Sequence, residues 1–195
     1  MNSVSTISPT INYNLSVIGD QPYPSYELRN IVRYLDQQDD VGSADLLAHI
    51  NLCTLDLKED FLPAYKVLEA FRFCSQNLGP VAGAKIGSTY EVRDLGVFGY
   101  AIASCHDLEH AIFIAEKYNS LLGNLLKRAE IVKDSILISK LYNVQNIDQE
   151  SLSFFVALGM SARIHIARSI FGDDLNFNKV SFQFDDEANR ETYES

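Results

Sequence analysis

A few residues in this chain have the types and spacings that chemistry requires. His49 and Cys53 lie four apart, and Cys105, His106 and His110 form a second set in which the two histidines keep that interval. Ligands four apart on one helical face can hold zinc, but a structural site closes with about four ligands. Each set straddles a helix boundary, near Asn51 in one and at Asp107 in the other, and no Cys-x-x-Cys pair completes either. The expectation is no metal. Cys105 beside His106 is a poor nucleophile and base, because such partners meet through the fold rather than as chain neighbours. The run Val81-Ala82-Gly83-Ala84-Lys85-Ile86-Gly87 spaces its glycines as a phosphate loop might. It lacks the Gly-Lys-Ser/Thr ending and a preceding strand, so close helix packing is expected. Hydrolase motifs and a dinucleotide fingerprint are missing as well, so the sequence predicts no catalytic residues, no cofactor and no enzyme.

Binding is better represented. Small-molecule pockets are mostly apolar with a few fixed polar groups, and Phe98, Tyr100, Phe113, Tyr118, Tyr142 and Phe155 could line one. The competing reading is that these aromatics fill the core. Arg163, with His165 and Arg168 nearby, could meet a carboxylate or phosphate on a ligand. An ordinary ion pair with Glu150 or Asp173 is the plainer alternative.

The elements that must position these groups follow from periodicity and punctuation. Residues 1–24 mix Ser, Thr, Asn and Pro with isolated apolar residues and read as a flexible arm or an edge segment. Ser25 is placed to cap a helix carrying Leu28, Ile31, Val32 and Leu35, and Ser43 opens a short helix through Leu47 and Ile50. Such a pair also looks like a helix-turn-helix, but Asp36 to Asp45 holds four acidic residues and no basic one, which repels phosphates. Pro63 to Leu78 repeats apolar residues at helical spacing before Gly79. Gly96 and Gly99 open an apolar helix, and Asp107 caps the next one, whose stripe is Leu108, Ala111, Ile112, Ala115 and Leu122. A hairpin near 129–142 turns at Lys133-Asp134-Ser135. Asp148 caps a long helix to Phe171, with Leu152, Phe155, Val156, Met160 and Ile166 inside and Gly159 and Ala162 as a thin side. A strand near 179–184 follows. The class is α+β, predominantly helical with a small antiparallel sheet.

With 195 residues, 47% of them hydrophobic and 11% aromatic, the chain can fill one core without disulfides or metals. A net charge of -10 disfavours a polyanion partner, because Lys and Arg supply most nucleic-acid affinity. Three scattered cysteines imply no disulfide framework and suggest buried free thiols in a reducing compartment. No unbroken apolar run reaches the ~18 residues of an ordinary membrane span.

The order Asp94-Leu95-Gly96, Phe98-Gly99-Tyr100-Ala101, Ser104, then Leu108, Ala111-Ile112 and Tyr118 resembles the N-terminal effector-binding domain of AraC-type transcriptional regulators. More narrowly it is similar to the subgroup whose regulatory half is labelled an arabinose-binding domain. The likeness covers most of residues 25–193, and Val180 to Phe184 with Tyr193 resembles the strand and tyrosine that precede further regulatory sequence. One departure is the helix after the corner, where the family has Thr or Ser and an acidic residue and this chain has Asp107 and His110. The resemblance implies an effector-binding or dimerisation domain over 25–195, a small-molecule effector, a homodimer and a cytoplasmic location away from membranes. It implies that DNA is bound only through a C-terminal helix-turn-helix domain, expected beyond Ser195. A stand-alone interaction domain that modulates such regulators is the alternative, and a small enzyme with an unrecognised site is the third.

Overall fold

The computed structural model describes residues 21–79, 81–118, 123, 125–133, 136–143, 146–173, 175 and 179–181. Among them the chain runs through β1 (Pro22–Pro24), α1 (Tyr26–Leu35), α2 (Ser43–His49), a 3-10 turn at Asp56–Lys58 and β2 (Phe61–Pro63). Then come α3 (Ala64–Leu78), α4 (Ala82–Gly87), a second 3-10 turn at Val92–Leu95, α5 (Gly96–Ala103) and α6 (Leu108–Lys117). A hairpin of β3 (Lys127–Lys133) and β4 (Ile136–Tyr142) precedes the long α7 (Gln149–Phe171). The helix-dominated α+β class is what the sequence predicts.

The sheets differ in detail from expectation. β3 and β4 pair antiparallel from Lys127 opposite Tyr142 to Lys133 opposite Ile136, which is the expected hairpin extended by a few residues. Residues 179–181 lie outside any regular element, while 182–184 and Tyr193 fall outside the described residues. A second two-stranded sheet forms at the end of the stretch read as a flexible arm or an edge segment: Pro22–Pro24 pair with β2, Tyr23 opposite Leu62. Proline's extended backbone suits an edge and its missing N–H forbids a central strand. With Pro22 opposite Pro63 the pairing stays short, and it seats Tyr23 and Leu62 in the core.

The core gathers where α1, α3, α4 and α7 meet. Leu28, Ile31, Leu35, Val67, Phe71, Ile86 and Leu158 are all fully enclosed, and Phe71 of α3 stacks on Phe155 of α7 at 5.0 Å between ring centroids. The buried side of α7 is Ser151, Phe154, Ala157, Leu158, Ala162 and Ile166. Leu152, Phe155, Val156 and Met160, expected inside, are half-buried. An apolar residue sits on nearly every side of this helix, so periodicity alone does not say which side turns inward. The partner decides it, because α4 brings Gly83 and Gly87 against the Phe154–Leu158–Ala162 line. A Cβ at Gly87 would stand 2.8 Å from Ser161 Cβ and 2.9 Å from Ala162 N, with the Leu158 carbonyl closer still. Ser161 Oγ donates to the Ala84 carbonyl at 2.7 Å across the same seam. Gly159 was expected to share this thin side, but a Cβ there meets nothing within 4 Å.

α7 is long and apolar enough to cross a membrane, by length and composition only. Its apolar stretches are broken by single polar residues, so no unbroken run reveals it. Here the helix is laid on α3 and α4.

The α4–α7 seam generates a paired prediction. Gly87→Ala must push backbone against backbone and should lower stability by about 1–3 kcal/mol. Gly159→Ala, mid-helix and facing open space, should raise it by about 0.5–1 kcal/mol. Urea midpoints at unchanged slope measure both, and equal midpoints for the two variants would remove the seam as the determinant.

Candidate ligand site beside helix α1

Helix α1 carries two adjoining stripes. Leu28, Ile31, Val32 and Leu35 face the core as predicted. Beside them Tyr26, Arg29, Asn30 and Arg33 recur at i, i+3, i+4 and i+7, which puts them on one face. Together with Arg93 and Asp94 of the Val92–Leu95 turn, that second stripe lines a depression of about 340 Å³. A bidentate ion pair holds the two walls together: Arg33 Nη1 and Nη2 donate to Asp94 Oδ1 and Oδ2 at 2.8 Å each. Burial works to raise the Asp94 carboxyl, but the Arg33 guanidinium and the Glu91 N–H, 2.8 Å away, overcome it and hold the group below the usual carboxylate range.

Ser25 does not cap α1 with its side chain. It is drawn sideways instead, its hydroxyl donating to the Glu59 and Asp60 carbonyls and accepting from Arg29 Nη1 at 2.7 Å. Arg29 Nη1 also donates to the Leu57 carbonyl at 3.1 Å, so the guanidinium is anchored by neutral acceptors. The loop before β2 thus fixes the outer wall of the depression.

Beneath lies a polar knot. Glu27, 6% exposed, accepts hydrogen bonds from the hydroxyls of Tyr90 and Tyr26. Burial pushes its carboxyl up to about 7, against the pull of those hydroxyls and of the Arg163 charge. The same burial, reinforced by the Glu27 charge, drives Tyr23, Tyr26 and Tyr90 well above the ordinary phenol range. Asn30 is 2% exposed and its amide sits beside the Tyr90 hydroxyl, yet Nδ2 makes no hydrogen bond of normal geometry among the described residues.

The expected ligand set is spread across the molecule. Phe98 is buried at the start of α5, and Phe155 stacks in the α3–α7 seam. Tyr100, Phe113, Tyr118 and Tyr142 are all exposed. Arg163 reaches the polar knot electrostatically and so is the one member of the set close to the α1 site. None of the seven lines the depression. Tyr26, Arg29, Asn30 and Arg33 lie beside the apolar stripe of α1 and are not marked by it; their signal in the sequence is the same helical spacing in polar residues.

The remaining chemical candidates are also placed. His106 and His110 do meet despite the boundary, Nδ1 to Nδ1 at 3.1 Å, around the Asp107 cap that accepts from His110 N at 2.8 Å. No group of three or more metal-ligating side chains occurs among the described residues. Only Cys74 fits the expectation of a buried thiol, and burial pushes it up to about 12; Cys53 is exposed and Cys105 half-buried.

Glu27 makes stability pH-dependent in an unusual direction. Its carboxyl takes a proton at about 7 when folded, against an ordinary value of 4.5, so the folded chain binds that proton more tightly. The stability it contributes is complete below pH 4.5 and is lost as pH rises through 7, about 3 kcal/mol at most from ~1.4 kcal/mol per pKa unit. Glu27→Gln should therefore flatten the decline in urea-derived stability between pH 5 and 8. Parallel profiles for wild type and variant would show that Glu27 is not the titrating group.

Comparison with known proteins bears on most of the chain. The model of the N-terminal arabinose-binding domain of AraC transcription regulators matches residues 41–195. The ornithine utilization regulator of Pseudomonas aeruginosa is 31% identical over 115 residues, which is 58% of this chain and 33% of the relative. The matched stretch spans a third of that relative's length. With well over half of its residues under the family model, the chain belongs to the N-terminal arabinose-binding domains of AraC transcription regulators.

Proposed function

We propose that this domain senses a small-molecule effector and passes the result to DNA-binding helix-turn-helix units outside these residues, as the non-enzymatic regulatory part of a cytoplasmic AraC-type regulator. The family match carries this reading. The net charge of -10 supports the division of labour, since phosphate neutralisation falls to another part of the protein. An effector acts only through its difference in affinity between two arrangements of the domain, and equal affinity shifts nothing. Thermal melting against fatty acids, sugars, nucleotides and amino acids tests it. Ornithine is included because the similar regulator is named for its use. One class should raise the midpoint saturably, by the equivalent of about 2.7 kcal/mol at a hundredfold excess over Kd. A panel without any shift sinks the sensing role.

A second reading, homodimerisation, is favoured by the α5–α6 surface. Val97 is 87% exposed, Tyr100 61% and Phe113 57%, and α5 carries no charged residue. Exposed apolar surface of this kind marks interfaces, and an uncharged face lets two strongly acidic copies meet without like charges in contact. Sedimentation equilibrium should find a dimer that Val97→Lys turns into monomer with unchanged helicity. A wild-type monomer at all accessible concentrations removes this reading.

A further inference from the structure

We propose that the depression between α1 and the Val92–Leu95 turn binds the carboxylate of a small organic monoanion. The assignment rests on the sensing role above and gives it a place and a ligand class. At about 340 Å³ the depression lies at the small end of ligand sites, which run to roughly 300–1,000 Å³.

The charges on its walls do not balance. Arg33 is matched by Asp94, and Arg93 by Glu91 at 2.7 Å. Arg29 is held by the Ser25 hydroxyl and the Leu57 carbonyl, and it has no carboxylate partner among the described residues. One positive charge is left over in a chain whose total is -10. Its anchors fix the guanidinium while leaving its other N–H groups available, and guanidinium geometry suits the two oxygens of a carboxylate.

A second, independent observation points the same way. Asn30 lines the depression with a buried Nδ2 that lies beside the Tyr90 hydroxyl but makes no hydrogen bond of normal geometry among the described residues. Buried polar atoms are nearly always satisfied. A donor and a cation without a carboxylate partner, on consecutive residues of one helix, both call for an acceptor bearing negative charge. The surplus is a single charge, and Asp94 already stands in the wall. A phosphate dianion would leave one negative charge unmatched beside it, whereas a carboxylate does not. Glu27 is taken up by its tyrosine hydroxyls and does not line the space.

The test is a titration followed in ¹H–¹⁵N spectra at the Asn30 side-chain amide and the Arg29 Nε. Hexanoate and benzoate are the probes, benzamide is the uncharged control and inorganic phosphate is the competing anion. Both carboxylates should move both signals saturably and benzamide neither. Arg29→Gln should weaken binding by about tenfold or more, the loss of a charge-assisted hydrogen bond, and Arg29→Lys should recover only part of it. Unmoved Asn30 and Arg29 signals in the wild type, or phosphate binding tighter than either carboxylate, overturn the assignment whatever the variants do. A melting-panel compound that stabilises wild type and Arg29→Gln equally also overturns the site but leaves sensing intact. Saturable carboxylate binding at Asn30 with no thermal shift from any metabolite keeps the site and removes the sensing role.

Discussion

The close seating of α4 on α7 is the contact from which the rest of the geometry follows. Two glycines let the helix backbones approach to a distance that any side chain would forbid, and Ser161 ties the seam with a bond to the Ala84 carbonyl. The end of α4 then unwinds through short turns, Thr89 N donating to Ile86 and Tyr90 N to Gly87. Those turns deliver Tyr90, 2% exposed, to Glu27 on α1. The placement of α1 is thus set by a chain of contacts that begins with a missing methyl group on a different helix.

Burying Glu27 opposes folding at neutral pH, and the structure limits the cost by surrounding the carboxyl with donors. Two tyrosine hydroxyls reach it and the Arg163 charge on α7 favours its ionised form, although burial still dominates. A buried polar group tolerates few alternative neighbours, because each unpaired arrangement costs free energy. The apolar stripe of α1 would accept small rotations about the helix axis. The Glu27–Tyr90 bond does not, and it therefore fixes which face of α1 looks outward. The stripe of Tyr26, Arg29, Asn30 and Arg33 is turned to the depression as a consequence.

Local features were legible in the sequence wherever a residue acts on its own neighbours. Asp107 and Asp148 cap their helices as expected, each accepting from the backbone N–H three residues on. Gly79 ends α3 with φ at 83° and Gly172 ends α7 at 101°, conformations suited to glycine. The glycines of the α5 corner are equally explicable: Gly96 has φ at 57°, and a Cβ on Gly99 would lie 3.1 Å from Leu95 Cβ. What stayed hidden depends on residues far apart in the chain. Ser25 looks like a cap until the carbonyls of Glu59 and Asp60 arrive beside it. Glu27 looks like a surface acid in a helical first turn until Tyr90 is brought up. Aromatics such as Phe113 and Tyr142 cannot be sorted into pocket, core or surface by spacing, because all three use the same residue types.

The depression and the exposed α5 face share a wall, and this links them physically. Asp94 accepts both prongs of Arg33 and, through the Glu91 N–H, closes its own turn. α5 starts at Gly96, directly after that turn, and Gly99 rests against the Val92 carbonyl group. The turn and α5 therefore form one packed unit, attached to α1 by a bidentate ion pair over the depression. A ligand held by Arg29 and Asn30 would share the space with that ion pair. If it favours one spacing of α1 and the turn over another, the placement of Val97 and Tyr100 shifts by that difference in affinity and by no more. The Arg33–Asp94 pair couples the two elements directly, beside the packing of Val92 and Leu95 on the core they share with α1.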